Sequence, residues 1–182
     1  MARRKIAVIH GSDSDLPQMR AGLELLEQAQ NMDGQQIEVV DVYSCSVHRN
    51  PDCWTEFLES LESTSGNVDV VIAGAGWANH LTAMTDKWLR NFRANDHTIV
   101  VGVAFEDLKN PKHTEAAILS ITEVPGHDIV FHDYVGASGF ERACKFAISG
   151  KLPKIVKRAY KPSTIRDLQE ALEKAHELAT KP

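Results

Sequence analysis

Short apolar runs rich in β-branched residues alternate along this chain with segments whose apolar residues recur at helical spacing, and no hairpin signal joins one run to the next. Strands linked only through long crossovers run parallel, so the alternation predicts a parallel sheet covered by helices on both faces. The predicted strands are residues 5–10, 37–43, 68–73 and 98–104, with a weaker fifth over 128–132. Helices are predicted over 16–30, where Met19, Leu23 and Leu26 share a face, then from Pro51 to about residue 62, and over 80–92, 113–120 and 138–149. Pro17 falls in the first turn of the first helix, where its missing N–H costs little, and Ser14 or Asp15 can cap that helix.

The fold class that follows is α/β: a three-layer αβα sandwich on a doubly wound, flavodoxin-like parallel sheet, with a C-terminal helix. A chain of 182 residues can bury one substantial core, and one domain is the expectation. Residues 1–152 carry the α/β pattern. Residues 153–182 form a connector and a last helix of the same structural unit, with one apolar stripe: Ile165, Leu168, Leu172, Ala175 and Leu178. That stripe suits packing on its own domain and docking on a neighbouring subunit equally.

The formal charge of −5 argues against broad nucleic-acid binding, which needs a dominating basic surface. The longest apolar runs are strand-sized, far short of the ~20 residues that span a bilayer, and no signal peptide is readable, so the expected location is the cytoplasm. Cys45, Cys53 and Cys144 lack the close paired spacing of a zinc knuckle or redox dithiol and read as reduced and structural. None of the eight histidines pairs with another at the three- or four-residue spacing that puts two ligands on one helix face, so no metal is predicted.

In an open parallel sheet, ligands bind beyond the carboxyl ends of the strands. Three segments there carry chemistry. Gly11-Ser12-Asp13-Ser14-Asp15 offers a tight turn, two hydroxyls and a helix start that attracts an anion such as phosphate. Asp13 and Asp15 would repel that anion, so at least one of them should face elsewhere. Taken alone, the turn is better explained as an ordinary Ser/Asp cap. Ser46-Val47-His48-Arg49 sets a residue that titrates near neutrality beside one that grips carboxylate or phosphate in a fork, although a lone loop histidine more often only caps or faces solvent. Gly74, Ala75 and Gly76 permit close backbone approach ahead of Asn79 and His80; tight helix-on-strand packing explains those small residues equally well, but not His80.

In order and in type, the three segments resemble the PurE family, the carboxyaminoimidazole ribonucleotide mutases and aminoimidazole ribonucleotide carboxylases of purine biosynthesis. That family carries Gly-Ser-x-Ser-Asp after its first strand, Ser-Ala-His-Arg after its second and Ala-Gly-Ala-Gly-x-Ala-x-His-Leu after its third; the last reads Ala73-Gly74-Ala75-Gly76-Trp77-Ala78-Asn79-His80-Leu81 here. The resemblance covers residues 5–152 and implies a catalytic α/β domain. It implies substrate binding by Ser12, Ser14, Asp15, Ser46, Arg49, Gly74, Ala75 and Gly76, with Ser12, Asp15 and Arg49 on the ribose phosphate. His48 and His80 become the catalytic pair, His48 moving protons and His80 lining the carboxylate end.

The resemblance further implies no cofactor, a small-molecule ribonucleotide substrate and a homo-oligomer, commonly an octamer. By resemblance, Arg49, where the direct carboxylases tend to have Lys, and the retained Ala-Gly-Ala-Gly…His-Leu segment, with His80 as the main marker, point to the mutase class. A direct carboxylase, a related enzyme acting on another ribonucleotide, and a noncatalytic nucleotide-binding homologue are the other readings. Departures cluster around the third segment and beyond: Trp77 and Asn79 replace small residues, Leu81-Thr82-Ala83-Met84 replaces Leu-Pro-Gly-Met, and 105–110 and 135–139 differ from the loops that close the family's site. Trp77 is either simple packing, the better account from sequence, or a new wall of the pocket.

Overall fold

A computed structural model describes residues 3–32, 34, 36–63, 68–156 and 164–180. Four parallel strands, β1 (Arg4–His10), β2 (Ile37–Ser44), β3 (Val70–Ala75) and β4 (Ile99–Ala104), lie in the order β2-β1-β3-β4. Helix α1 (Leu16–Asn31) follows β1 through a 3-10 turn, Asp13–Asp15. Helix α2 (Pro51–Ser63) follows β2, and α3 (His80–Lys87) follows β3 and runs on into a π-helical turn, Trp88–Phe92. Helices α4 (Pro111–Thr122), α5 (Gly136–Ser149) and α6 (Leu168–Ala179) complete the described chain.

Period-two alternation along the buried strands builds two cores. Ile6 and Val8 of β1 join Met19 and Leu26 of α1 and Phe140 and Ala143 of α5 on one face. Ala7 and Ile9 join Trp54, Phe57 and Leu58 of α2, with Leu81, Ala117 and Ile121 of α3 and α4, on the other. This is the three-layer sandwich that the alternation predicts. Helices α1 and α5 approach closely because position 22 is glycine: a Cβ there would come within 2.4 Å of the Phe140 ring.

The fifth strand is reduced to two isolated parallel bridges, Val101 to Val130 and Ala104 to Val135. Gly102 N donates to Val130 O and Val130 N to Val100 O, which keeps the segment beside β4 without a continuous ladder. The third strand also departs from its predicted limits, for it runs on through Gly74 and Ala75. Neither Ser14 nor Asp15 caps α1 through its side chain. The predicted connector over 151–162 lies in part outside the described residues, and α6 buries none of its residues. Ile165 and Leu168 are almost fully exposed, which removes the apolar stripe from its own domain's core. Among the described residues no helix is long and apolar enough to cross a membrane.

One buried charge pair ties α3 to the segment beyond α4. The Asp86 carboxylate is completely buried; its Oδ2 accepts the Asp128 N–H at 3.2 Å, and its Oδ1 lies 3.3 Å from Arg90 Nε, near enough for an ion pair though not aligned as a hydrogen bond. Arg90 donates to Asn95 O at 2.7 Å and Thr98 O at 2.6 Å. Burial pushes the Asp86 carboxyl up and the Arg90 guanidinium down, each opposed by the other's charge. Removing one member strands the other in the core. Asp86→Ala should therefore cost about 3–5 kcal/mol in urea denaturation, and a loss below about 1 kcal/mol would show the pair to be screened as at a surface.

Candidate active site

The strand order turns back between β1 and β3, where a doubly wound sheet opens a crevice. A cleft of ≈ 480 Å³ lies there, bordered by Ser12, Ser14 and Asp15 after β1, Ser46, His48 and Arg49 after β2, and Ala75, Gly76 and Trp77 after β3. A larger open groove of ≈ 990 Å³ runs along α1 and the edge strand β2, but of the three segments only Asp13 borders it. The three segments singled out in the sequence thus meet at one place.

The first turn is built around a close approach. Gly11 N donates to Gly74 O at 3.1 Å, and a Cβ on Gly11 would lie 3.0 Å from the Ala75 methyl, so glycine is what lets the β1 end seat on β3. His10, buried beneath, sits with Nδ1 2.9 Å from Ser12 O; the carbonyl accepts, so that nitrogen carries the hydrogen. Both acids of the turn are drawn aside. Asp15 Oδ2 accepts the Ser12 N–H at 3.0 Å, and Asp13 Oδ1 accepts the Ser44 hydroxyl at 2.7 Å. The Ser12 and Ser14 hydroxyls, 2.5 Å apart, are left at the cleft with Arg49, whose Nη2 donates to Gly11 O at 3.3 Å. Two hydroxyls, a guanidinium and the turn that leads into α1 form a fitting cradle for an anion.

The second segment is a tight turn fastened at both ends. Arg49 N and Asn50 N both donate to Ser46 O, at 3.1 and 2.9 Å, and Asn50 Oδ1 takes the Cys53 N–H at the start of α2. Cys45, buried behind it, points its thiol at Asn50 O at 3.4 Å; burial, aided by Cys53, pushes that thiol up to about 12, the inert state expected of a structural cysteine. His48 is held out into the cleft, and its Nε2 lies 2.8 Å from Nδ1 of His80, which does not itself border the cleft and meets it only through His48. At least one of these two nitrogens carries a hydrogen, so the pair can pass a proton between the second segment and the third.

His80 is placed by its neighbour Asn79, which in the sequence stands at a helix start and departs from the family motif. Asn79 is completely buried; its Oδ1 accepts the Thr82 N–H at 3.1 Å as the cap of α3, and its Nδ2 donates to Val103 O at 2.8 Å. The Thr82 hydroxyl lies 2.8 Å from Ala73 O and 2.9 Å from Asn79 Oδ1 and can give its single hydrogen to either. Asn79 and Thr82 thus lock the start of α3 to β3 and β4 together. The preference for Asn at a helix start was the signal that could have found this. His10 was missed for a simpler reason, as the last residue of a buried strand.

Gly74 does not reach the cleft. It lies within β3, where a Cβ would strike the Phe105 ring at 2.8 Å, so it serves packing and not ligand approach. Ala75 and Gly76 do line the cleft. Trp77 follows with a left-handed backbone, φ +57, a conformation that suits glycine and that residues with a Cβ enter rarely.

Burial holds the Asp15 carboxyl above the usual aspartate range, against the opposing pull of the Ser12 N–H and of His10 and Arg49. A native value above the unfolded one of about 3.9 means the folded state keeps its proton longer, so stability falls as pH rises through the native value. Asp15→Asn keeps an acceptor for the Ser12 N–H and removes the titration. Its stability relative to the parent should rise with pH across that window in thermal melts from about pH 3 to 8; a flat or falling difference would contradict the assignment.

Residues 5–148 match the family model described as AIR carboxylase. The chain is 31% identical over 175 residues to the N5-carboxyaminoimidazole ribonucleotide mutase of Thermotoga maritima, covering 96% of this chain and 91% of that protein. It is 29% identical over 134 residues to the mutase of the same name from Bacillus subtilis, covering 74% and 72%. The crystal structure of Treponema denticola PurE superposes with a TM-score of 0.54 at 12% identity, over 97% of this chain and 94% of that one, and so shares its fold. A parallel α/β sheet with its three motif-bearing turns gathered at the switch point, and a family match across most of its length, make this chain a member of the AIR carboxylase family.

Proposed function

We propose that this chain is an isomerase of purine biosynthesis that interconverts N5-carboxyaminoimidazole ribonucleotide and 4-carboxyaminoimidazole ribonucleotide. The observation that carries the reading is that one cleft brings His48, which is 2.8 Å from His80 behind it, to an anion cradle of Ser12, Ser14 and Arg49. The name of the Thermotoga maritima relative supports the choice of substrate.

The chemistry needs proton transfer and enclosure. Breaking the N–carboxylate bond releases carbon dioxide and leaves a nitrogen that needs a proton; attack of ring carbon 4 on the carbon dioxide forms the new C–C bond and leaves a carbon that must lose one. His48 gives the first proton and takes the second, so the cycle balances without a cofactor. His80, hydrogen-bonded to it, keeps the ring oriented from outside the cleft wall. Ser12, Ser14 and Arg49 hold the phosphate, and Asp15 fixes Ser12 from behind. Ser46 and Ala75 to Gly76 form the remaining walls.

A second reading has one observation in its favour: the phosphoribosylaminoimidazole carboxylase of Candida glabrata is 42% identical over 80 residues, 43% of this chain and 12% of that protein. An assay with N5-carboxyaminoimidazole ribonucleotide in both directions, and with aminoimidazole ribonucleotide plus bicarbonate, separates the two. Turnover of the carbamate supports the mutase, and turnover only with bicarbonate supports the carboxylase. His48→Asn should bind ligand and lose about 10²- to 10⁴-fold in kcat; full activity would remove His48 from proton transfer.

We infer in addition a cytoplasmic homo-oligomer, an octamer by family resemblance, in which α6 docks on a neighbouring subunit. The exposed stripe of Ile165, Leu168, Leu172 and Leu178 supports this docking. Light scattering of the full chain should give a mass near eight chains, and a monomer would overturn the shared assembly.

A further inference from the structure

Trp77 is an expensive residue where it stands. Its backbone is left-handed at φ +57, a region that residues with a Cβ enter rarely and that persists where the surroundings enforce it. The side chain is 64% exposed, whereas Trp54 is 5% exposed and packs in the core. Core filling therefore does not account for this indole. One of its faces lies flat on the His113 ring, centroids 3.8 Å apart and planes 21° from parallel, and the residue borders the cleft that holds Ser12, His48 and Arg49.

The ring behind it is fixed on both nitrogens. Asn110 Oδ1 accepts the Lys112 N–H at 3.2 Å as the cap of α4, which turns its Nδ2 donor toward His113 Nε2 at 3.0 Å. That nitrogen must accept, so the hydrogen of a neutral His113 sits on Nδ1 and goes to Asp107 Oδ2 at 2.7 Å. Asp107 Oδ1 is held by the Lys109 N–H at 2.9 Å and the Asn110 N–H at 3.2 Å. The loop is clamped to α1 one residue earlier, where the Gln18 amide exchanges two hydrogen bonds with the Glu106 backbone, at 3.0 and 2.9 Å. The indole thus has a rigid backing on one face, while the residue stays largely exposed and borders the cleft.

We propose that Trp77, backed by His113, is a stacking surface for the heteroaromatic ring of a ribonucleotide and sets the cleft's preference for a base-bearing ligand over a bare sugar phosphate. The proposal rests on the reading above that the cleft takes a ribonucleotide. Stacking on an aromatic face is tolerant of base identity, so the surface selects for a planar ring, while hydrogen-bonding groups elsewhere select which ring.

The test is calorimetric titration of the full chain with 5-aminoimidazole ribonucleotide, adenosine 5′-monophosphate and ribose 5-phosphate. The parent should bind at least one base-bearing ligand about 10-fold or more tighter than ribose 5-phosphate. Trp77→Gly, which accepts the left-handed backbone, should erase that preference and leave the Kd for ribose 5-phosphate unchanged; Trp77→Phe should keep most of it and His113→Ala part of it. A preference that survives in Trp77→Gly, or a parent with none, overturns the stacking role. If the Trp77-dependent preference is for adenosine 5′-monophosphate and not for 5-aminoimidazole ribonucleotide, the stacking surface stands and the proposed substrate falls. If the mutase assay succeeds and Trp77→Gly leaves the preference intact, the reverse holds. A parent that binds none of the three overturns both.

Discussion

The seating of Gly11 on Ala75 is the contact on which the site depends. It brings the ends of β1 and β3 together at the point where the strand order reverses, so the turn after β1 and the segment after β3 emerge side by side. Because β2 lies on the other flank of β1, the turn after β2 arrives at the same cleft from the opposite side. The Ser12 and Ser14 hydroxyls, Arg49 and the two histidines are then neighbours because of topology, though they come from three separate stretches of sequence. A Cβ at position 11 would lie 3.0 Å from the Ala75 methyl, tighter than ordinary contact, and would press on that junction.

Around this junction, buried polar groups give α3 one position instead of several. Asn79 reaches β4 through Val103 O while capping α3, and Asp86, two turns further on, ties the helix to the segment beyond α4. An apolar interface would tolerate small slips of a helix along a sheet, whereas partners this deeply buried must all be met at once. His80, the first residue of α3, inherits its place from them. The 2.8 Å contact with His48 is therefore supported from the protein interior, although both imidazoles are themselves exposed.

Much of this was legible in the sequence, since alternation fixes layers and the chemistry of an open sheet belongs at its strand ends. The four main strands, the helices that cover them and the three site segments follow from that rule. What was not legible depends on contacts between distant segments. The run over 128–132 has strand-like residues, but Val130 finds only Val101 opposite it. Gly74 resembles a ligand-approach glycine until Phe105 is seen against it. The repulsion foreseen between Asp13, Asp15 and an anion is resolved by Ser44 and by the Ser12 N–H, and neither partner can be read from a local pattern. Asn79 seemed a substitution in a family motif because a motif records what touches ligand, while this side chain points into the core.

The exposure of the two histidines bears on how such a chain can handle carbon dioxide. Recapture of a freed gas at ring carbon 4 requires that water be kept out while the intermediate exists, and in the single chain the cleft is open and the His48 that borders it is exposed. Trp77 with its His113 backing lines the cleft, and a ring stacked on it would add its own bulk there. The rest of the cleft calls for another surface. The apolar stripe of α6 is free of its own domain's core, and burying it on a neighbour would gain the usual ≈ 25 cal/mol per Å² of apolar area removed from water. Assembly and chemistry would then make a common demand if a neighbouring chain both buried the apolar surface that a lone chain exposes and closed the cleft to water.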